Sequence, residues 1–184
     1  MKYKCCLIIS LFFLIACEDS LSDFFVKDKH FSMSTTPYTG DELKINGYYY
    51  KKYNNERSLV VIFYENGVRF GGSGMAILNI EIENKLSNSD YTKSLRDCRA
   101  CWGPFEINSN NLKFEFYDFM NNYWHTYIAH CEILNDTTFN VKKVTFSKTG
   151  EEVKNNEYPS SSLLGEFHFR QSSPKPDSIN NFVP

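Results

Sequence analysis

The sequence predicts an all-β domain: an antiparallel up-and-down β-barrel or closed sandwich of about eight strands, with at most one or two short helices. Three observations carry this. Aromatic residues, mostly Phe and Tyr, make up 16% of the 184-residue chain, and such residues favour pleated strands and bury large areas. Short β-rich runs recur along the chain between polar turns, the spacing of a sandwich or barrel. In Leu112-Lys113-Phe114-Glu115-Phe116 apolar and charged residues alternate, as on a strand with one buried face and one wet face. Closing the sheet would also remove the edges that invite aggregation.

The N-terminal segment is of another kind. Met1-Lys2-Tyr3-Lys4 is basic, Cys5 to Ile15 is almost wholly apolar, and Ala16-Cys17 precedes the acidic pair Glu18-Asp19. A basic start, a short apolar run and a small residue describe a secretion signal, too short to span a bilayer. Leu14-Ile15-Ala16-Cys17 resembles the bacterial lipobox, in which the signal is cut before the cysteine and the cysteine is acylated. The resemblance implies a signal peptide over residues 1–16 and a lipid, palmitate included, on Cys17. It also implies a protein held on the periplasmic or surface face of an envelope membrane. Two or more acyl chains anchor stably, each buried methylene contributing about 0.8 kcal/mol, so no spanning helix is needed, and no other run is apolar and long enough for one.

Removing residues 1–16 takes Lys2 and Lys4 away and leaves 18 basic against 22 acidic residues, a net charge of −4. A mildly acidic balance argues against a nucleic-acid partner, which calls for a basic patch. The remaining length suits one domain. Residues 17–44 read as the lipidated end and a tether, rich in Ser, Thr, Asp and Lys. Phe24-Phe25-Val26 and Phe31 are apolar enough to dock on the domain that follows.

The domain is expected over residues 45–170. Ile45 to Tyr53 reads as a Tyr-dense strand, and Ser58 to Tyr64 as a second, apolar on both faces. Glu65-Asn66-Gly67-Val68 joins it to the next run, and Asn-Gly between two β-rich runs is a strong hairpin signal. Met75 to Glu83 alternates with a period of two, a strand pattern that also fits a helix start. Ser87 to Arg99 reads as a short helix or irregular crossing, with Tyr91 and Leu95 at helical spacing. Strands resume at Gly103–Ile107 and, past the turn Asn108-Ser109-Asn110-Asn111, at Leu112–Phe116. Further strands are expected at Trp124–Leu134, at Thr137–Phe146 after the turn Asn135-Asp136, and at Leu163–Arg170, where Phe167 and Phe169 share a face. Ser147–Pro159 is a polar loop. Residues 171–184, rich in Pro, Ser and Asn, read as a flexible tail.

Several stretches resemble small uncharacterised bacterial lipoproteins grouped with lipocalin-like β-barrels. They are Gly47-Tyr48-Tyr49-Tyr50, Trp102-Gly103-Pro104-Phe105, Ile133-Leu134-Asn135-Asp136-Thr137-Thr138-Phe139 and Phe167-His168-Phe169-Arg170. The resemblance spans about residues 45–170 and supplies no catalytic residue. It implies a barrel with a cavity for a small apolar ligand, although fold does not fix function. The many aromatics could instead fill the interior.

Three cysteines lie in the folded part. Cys98-Arg99-Ala100-Cys101 could be a disulfide, half of a metal site or a redox pair. Zinc would need His130 or Cys131, neighbours that point to opposite faces of a strand. Redox catalysis would need a helix starting at the first cysteine within βαβ surroundings. An exported chain meets an oxidising compartment, so a disulfide is expected, either Cys98–Cys101 or a bridge from one of them to Cys131. The longer bridge is slightly preferred, because closing about 30 residues is worth roughly 3–4 kcal/mol in the chain-entropy estimate. His125, His130 and His168 lack an acidic or Ser partner at useful spacing and read as surface or core residues. Tyr48, Tyr49, Tyr50 and Tyr53 read as packing rather than a sugar-stacking face. Gly71-Gly72-Ser73-Gly74 lacks the Lys-Ser/Thr of a phosphate loop and reads as a turn. No catalytic group, metal or cofactor is expected. The expected role is a non-enzymatic envelope module that binds a small ligand or an envelope component. The alternative is a structural or inhibitory protein-interaction lipoprotein with a filled core.

Overall fold

The computed structural model describes residues 30–71, 76–173 and 175–183. The Tyr-rich run forms β1 (Gly47–Lys52) and the apolar run forms β2 (Arg57–Phe63). Gly67, at φ +80°, lies in the turn into β3 (Val68–Phe70), closed by Tyr64 N–H to the Val68 carbonyl at 3.0 Å. β4 (Ala76–Leu78) is short. After it come a 3-10 turn (Asn79–Glu81) and two short helices, α1 (Ile82–Ser87) and α2 (Ser89–Ser94). The Asn88 side chain caps α2, accepting from the Asp90 and Tyr91 amides, as Asn does at helix starts. The run from Met75 thus keeps strand geometry only to Leu78 and then turns helical.

A 3-10 turn (Arg99–Cys101) leads into β5 (Trp102–Asn108). Then come β6 (Asn111–Met120), β7 (Tyr123–Asn135), β8 (Thr138–Phe146), the one-turn helix α3 (Ser160–Leu163) and β9 (Gly165–Gln171). The described residues therefore hold three short α-helices, one more than the sequence suggested. All strand pairings are antiparallel. The order β1-β2-β3-β5-β6-β7-β8-β9 returns to β1, closing an eight-stranded lipocalin-like barrel. β4 pairs with the far end of β2, Arg57 opposite Leu78.

The barrel interior is filled by aromatic rings. Tyr49, Phe63, Phe105, Phe114, Phe116, Tyr127, Phe139 and Phe167 are all at most 1% exposed. Phe139 and Phe167 stack at 5.0 Å, and Phe63 lies 4.9 Å from Phe105. Offset and tilted pairs at such distances add about 0.5–1.5 kcal/mol each beyond burial. A second apolar cluster lies outside the wall. Tyr48, Val60, Ile62, Val68 and Phe70, from the outward faces of β1, β2 and β3, are covered by Ile82 and Leu86 of α1 and by Trp102 and Val183. That is why β2 is apolar on both faces. Alternation also sorts the tyrosines: Tyr49 points into the barrel and Tyr48 packs in the outer cluster, while Tyr53 is exposed.

The register of β6 is as expected, with Leu112, Phe114 and Phe116 buried. Lys113 is half exposed and paired with Glu106 at 3.2 Å. Glu115 corrects the expectation of an exposed charge, because it is fully buried. The N-terminal segment covers this part of the outer wall, and the Glu115 carboxylate accepts hydrogen bonds from the Ser32 amide at 2.8 Å and the Met33 amide at 2.7 Å. Tyr38 and Leu43 join the interior cluster, so the chain belongs to the domain well before Ile45. The C-terminal residues are laid on the barrel too, in place of a free tail. Lys175 Nζ donates to the Ile45 and Phe63 carbonyls at 2.6 Å each, Asp177 pairs with Arg96 at 2.9 Å, and Phe182 and Val183 join the outer cluster.

Glu115→Leu is expected to lower unfolding free energy by about 1–3 kcal/mol, because two covered amides lose their acceptor. Urea denaturation reads this, and limited proteolysis should become faster within residues 30–44. An unchanged midpoint would show that the segment holds without the carboxylate.

Candidate functional site

The β6–β7 ladder runs from Asn111 opposite Glu132 to Met120 opposite Tyr123. β5 pairs with β6 only as far as Phe114, and β8 pairs with β7 only from Tyr127 onward. The last turns of the hairpin therefore project beyond their neighbours at one mouth of the barrel. Asn121 and Asn122 form the tip with φ of 52° and 65°, both left-handed as in a tight two-residue hairpin turn that suits the strand twist. Gly103 lets β5 cross close beneath this hairpin, since a Cβ there would lie 1.8 Å from the Glu115 carbonyl oxygen.

Inward-facing positions continue into the projecting part. Phe116 is opposite Tyr127, Asp118 opposite His125, and Met120 opposite Tyr123. Of these, Met120, Tyr123 and His125, with Asn121, Phe146 at the end of β8 and Lys148, Thr149 and Glu151 just after it, line an open cleft of about 440 Å³. His125 lies 5.9 Å from Phe146, and the Tyr127 hydroxyl donates to Met120 Sδ at 3.4 Å. The cleft thus combines aromatic and thioether surface with a few polar groups at its edge. It sits on a packed interior.

Two buried groups of opposite charge, Arg69 and Asp118, lie near the aromatic core and feel each other's charge. Arg69, on β3, is fully buried, with its guanidinium 5.2 Å from the Phe114 ring and 5.5 Å from the Phe116 ring. Its Nε donates to the Glu115 carbonyl at 3.4 Å, while Nη1 and Nη2 have no hydrogen-bond partner in the protein. Burial pulls the guanidinium down to about 9, against the favourable charge of Asp118. Burial likewise pushes the Asp118 carboxyl up to about 6, opposed by hydrogen bonds from Tyr158 and the Phe119 amide and by the Arg69 charge. Each charge costs desolvation in an otherwise aromatic interior.

The residues singled out from sequence fall in different places. Cys17 lies outside the described residues, as does most of the glycine-rich turn after Gly71. Cys98 and Cys101 form a disulfide with Cα atoms 5.3 Å apart, and Cys131 is a buried free thiol. The preferred long bridge is therefore corrected. Cys131 faces the barrel interior opposite Leu112, whereas Cys98 and Cys101 pack in the outer cluster, and the barrel wall separates them. Burial raises the Cys131 thiol well above its usual range. His130 contacts the Thr145 hydroxyl at 3.0 Å on the outer face, and His168 lies 3.9 Å from Glu166. Only His125 reaches the cleft. No group of three or more His, Cys, Asp or Glu converges as a metal site among the described residues, and no helix there is long and apolar enough to cross a membrane.

Sequence reasoning missed Arg69, Asp118 and the tip. The signals were present: a charge flanked by apolar residues in Val68-Arg69-Phe70, Asp118 in phase with Leu112, Phe114 and Phe116, and Asn121-Asn122 between aromatic runs. No family model matches the chain, nor does any curated protein or solved structure with which it was compared.

Asp118 generates a pH dependence. Between about 4 and about 6 the native carboxyl holds more protons than the unfolded one, so its contribution to stability is full below about 4 and is lost as pH rises to about 6. Relative to Asp118→Asn, the wild type should lose roughly 1–3 kcal/mol of unfolding free energy across that window. Urea midpoints of both proteins measure it, and a constant difference would show an ordinary carboxyl.

Proposed function

We propose that this chain is a lipid-anchored protein of a bacterial envelope, acting as a non-enzymatic binding module that takes a small ligand at the barrel mouth. The observation that carries the binding reading is the cleft of about 440 Å³ beside Met120, Tyr123, His125 and Phe146, a volume within the range of small-molecule sites. The aromatic interior moves the expected ligand from inside the barrel to its mouth. Suitable ligands are flat and amphipathic, with an apolar face for Met120, Tyr123 and Phe146 and a polar edge for Lys148 and Glu151. The anchor rests on the basic-apolar start and on the lipobox resemblance at Cys17. The second reading, a structural or inhibitory interaction protein, is favoured by the filled interior together with Phe119, 49% exposed, and Tyr158, 39% exposed.

Two experiments separate these claims. Cys17→Ala should abolish palmitate incorporation and move the protein out of the membrane fraction; normal acyl labelling of the variant would remove the anchor. For the cleft, the probe is 1-anilinonaphthalene-8-sulfonate, titrated by fluorescence. Thr149→Trp, at an exposed loop position, should obstruct the cleft and weaken binding by about tenfold or more, near 1.4 kcal/mol, without changing the urea midpoint. Equal binding by both proteins would place the probe elsewhere and favour the interaction reading.

A further inference from the structure

The projecting hairpin carries no charge from Phe119 to Trp124: the run is Phe119-Met120-Asn121-Asn122-Tyr123-Trp124. Phe119 is 49% exposed and Tyr123 42%, and Trp124 is only partly buried. Phe119 and Trp124 meet edge to face at 5.4 Å on the outer side of the hairpin, while Met120 and Tyr123 occupy the inner side. Both sides of the tip therefore present apolar surface. Leaving such rings in water is costly, and Trp, Tyr and Phe gain most where an apolar body meets a polar boundary.

The N-terminal segment says what lies opposite this tip. It begins its contacts far from the tip, with Lys44 N–H donating to the Asp136 carbonyl in the β7–β8 turn. Read backward, it passes Glu65 through the Tyr38 amide, then Glu115 through Ser32 and Met33. At Phe31 it reaches Tyr117, ring centroids 4.6 Å apart, four positions before Asn121 at the tip. The described chain thus begins on the hairpin side of the barrel. Only 13 positions separate His30 from Cys17, a reach of at most about 45 Å fully extended. An anchor at Cys17 keeps the domain within that reach of the bilayer, and the hairpin side is where the described chain begins.

We propose that the Phe119–Trp124 tip docks in the headgroup layer of the membrane that carries the Cys17 lipid, with Phe119, Tyr123 and Trp124 as its interfacial contacts. The proposal rests on the anchor reading given above. The partner is a lipid surface, recognised through uncharged aromatic insertion rather than through headgroup charge. The attachment becomes two-point, lipid plus hairpin, which fixes the orientation of the barrel instead of leaving it to tumble on a leash.

The chain contains two tryptophans. Trp102 is 2% exposed and donates its indole N–H to the Leu95 carbonyl at 2.7 Å, so Trp124 reports the tip. Mature acylated protein is reconstituted in phosphatidylethanolamine–phosphatidylglycerol vesicles containing brominated phosphatidylcholine. Membrane attachment is read by co-sedimentation, and insertion by tryptophan quenching. The expected result is about a twofold or greater loss of Trp124 emission at the interface, absent in Trp124→Phe. Phe119→Ser with Tyr123→Ser, both at exposed positions, should restore most of the emission while co-sedimentation and the far-ultraviolet circular dichroism stay unchanged. An acylated protein that co-sediments while Trp124 is quenched by aqueous iodide and not by bromolipid overturns the docking and leaves the anchor standing. Trp124 shielded from both quenchers in a cross-linkable dimer assigns the tip to a second copy and overturns it as well. A protein that is neither acylated nor co-sedimenting removes the anchor, and the docking falls with it.

Discussion

Pairing of β1 with both β2 and β9 closes the sheet, and closure divides every strand into a face that looks inward and a face that looks outward. The interior is small, so its content is set by what eight strands can enclose. Rings from β1, β2, β5, β6, β7, β8 and β9 occupy it. Large planar side chains fill such a space with few rotatable bonds, at a low cost in conformational entropy. Once the inside is committed to packing, binding chemistry is left to the mouth and the outer wall.

The outer wall is not left bare either. α1, the disulfide-bearing turn and the C-terminal residues cover β1, β2 and β3, and the segment before Tyr38 covers β6 at Glu115. Both ends of the domain therefore act as straps. Each uses polar groups to reach main-chain atoms: a carboxylate takes two amides at one strap, and Lys175 donates to two carbonyls at the other. Burial pulls the Lys175 ammonium down to about 8, the expected sign for a cation held largely out of water, although the Tyr64 ring 4.3 Å away favours its charged form. At the β6–β7 tip Phe119 and Tyr123 stay exposed, above the cleft.

Much of the barrel was legible because its signals are local. The Asn66-Gly67 turn, the alternation of Leu112, Phe114 and Phe116, and the turn at Asn135-Asp136 each appear within a few residues, and each lies where it was expected. The site was less legible because its logic is not local. Period-two alternation shows that Glu115 points away from Phe114, yet it cannot show that Ser32 and Met33, 83 and 82 positions earlier, will cover it. Asp118 shares the phase of the core residues, but its charge reads as solvent-facing unless Arg69 is known to be near. The cysteines show the same limit. Loop-length entropy favoured a bridge to Cys131, and which face of the barrel each sulfur occupies decided otherwise. Helical spacing placed a crossing near Ser87–Arg99 but left open how much of it is helix.

The seam between the first and last strands carries a consequence for how the molecule is made. Tyr49 lies opposite Phe169, 120 positions later in the chain, and Val183 belongs to the outer cluster. During synthesis or any N-terminus-first passage through a pore, β1 and β2 emerge early, with one edge of β1 lacking its partner until nearly everything else has appeared. Contacts this distant in sequence make for slow, late folding. The nascent sheet therefore stays open until β9 has emerged. A product truncated before β9 keeps an open sheet edge, the kind of surface that holdase chaperones and proteases recognise.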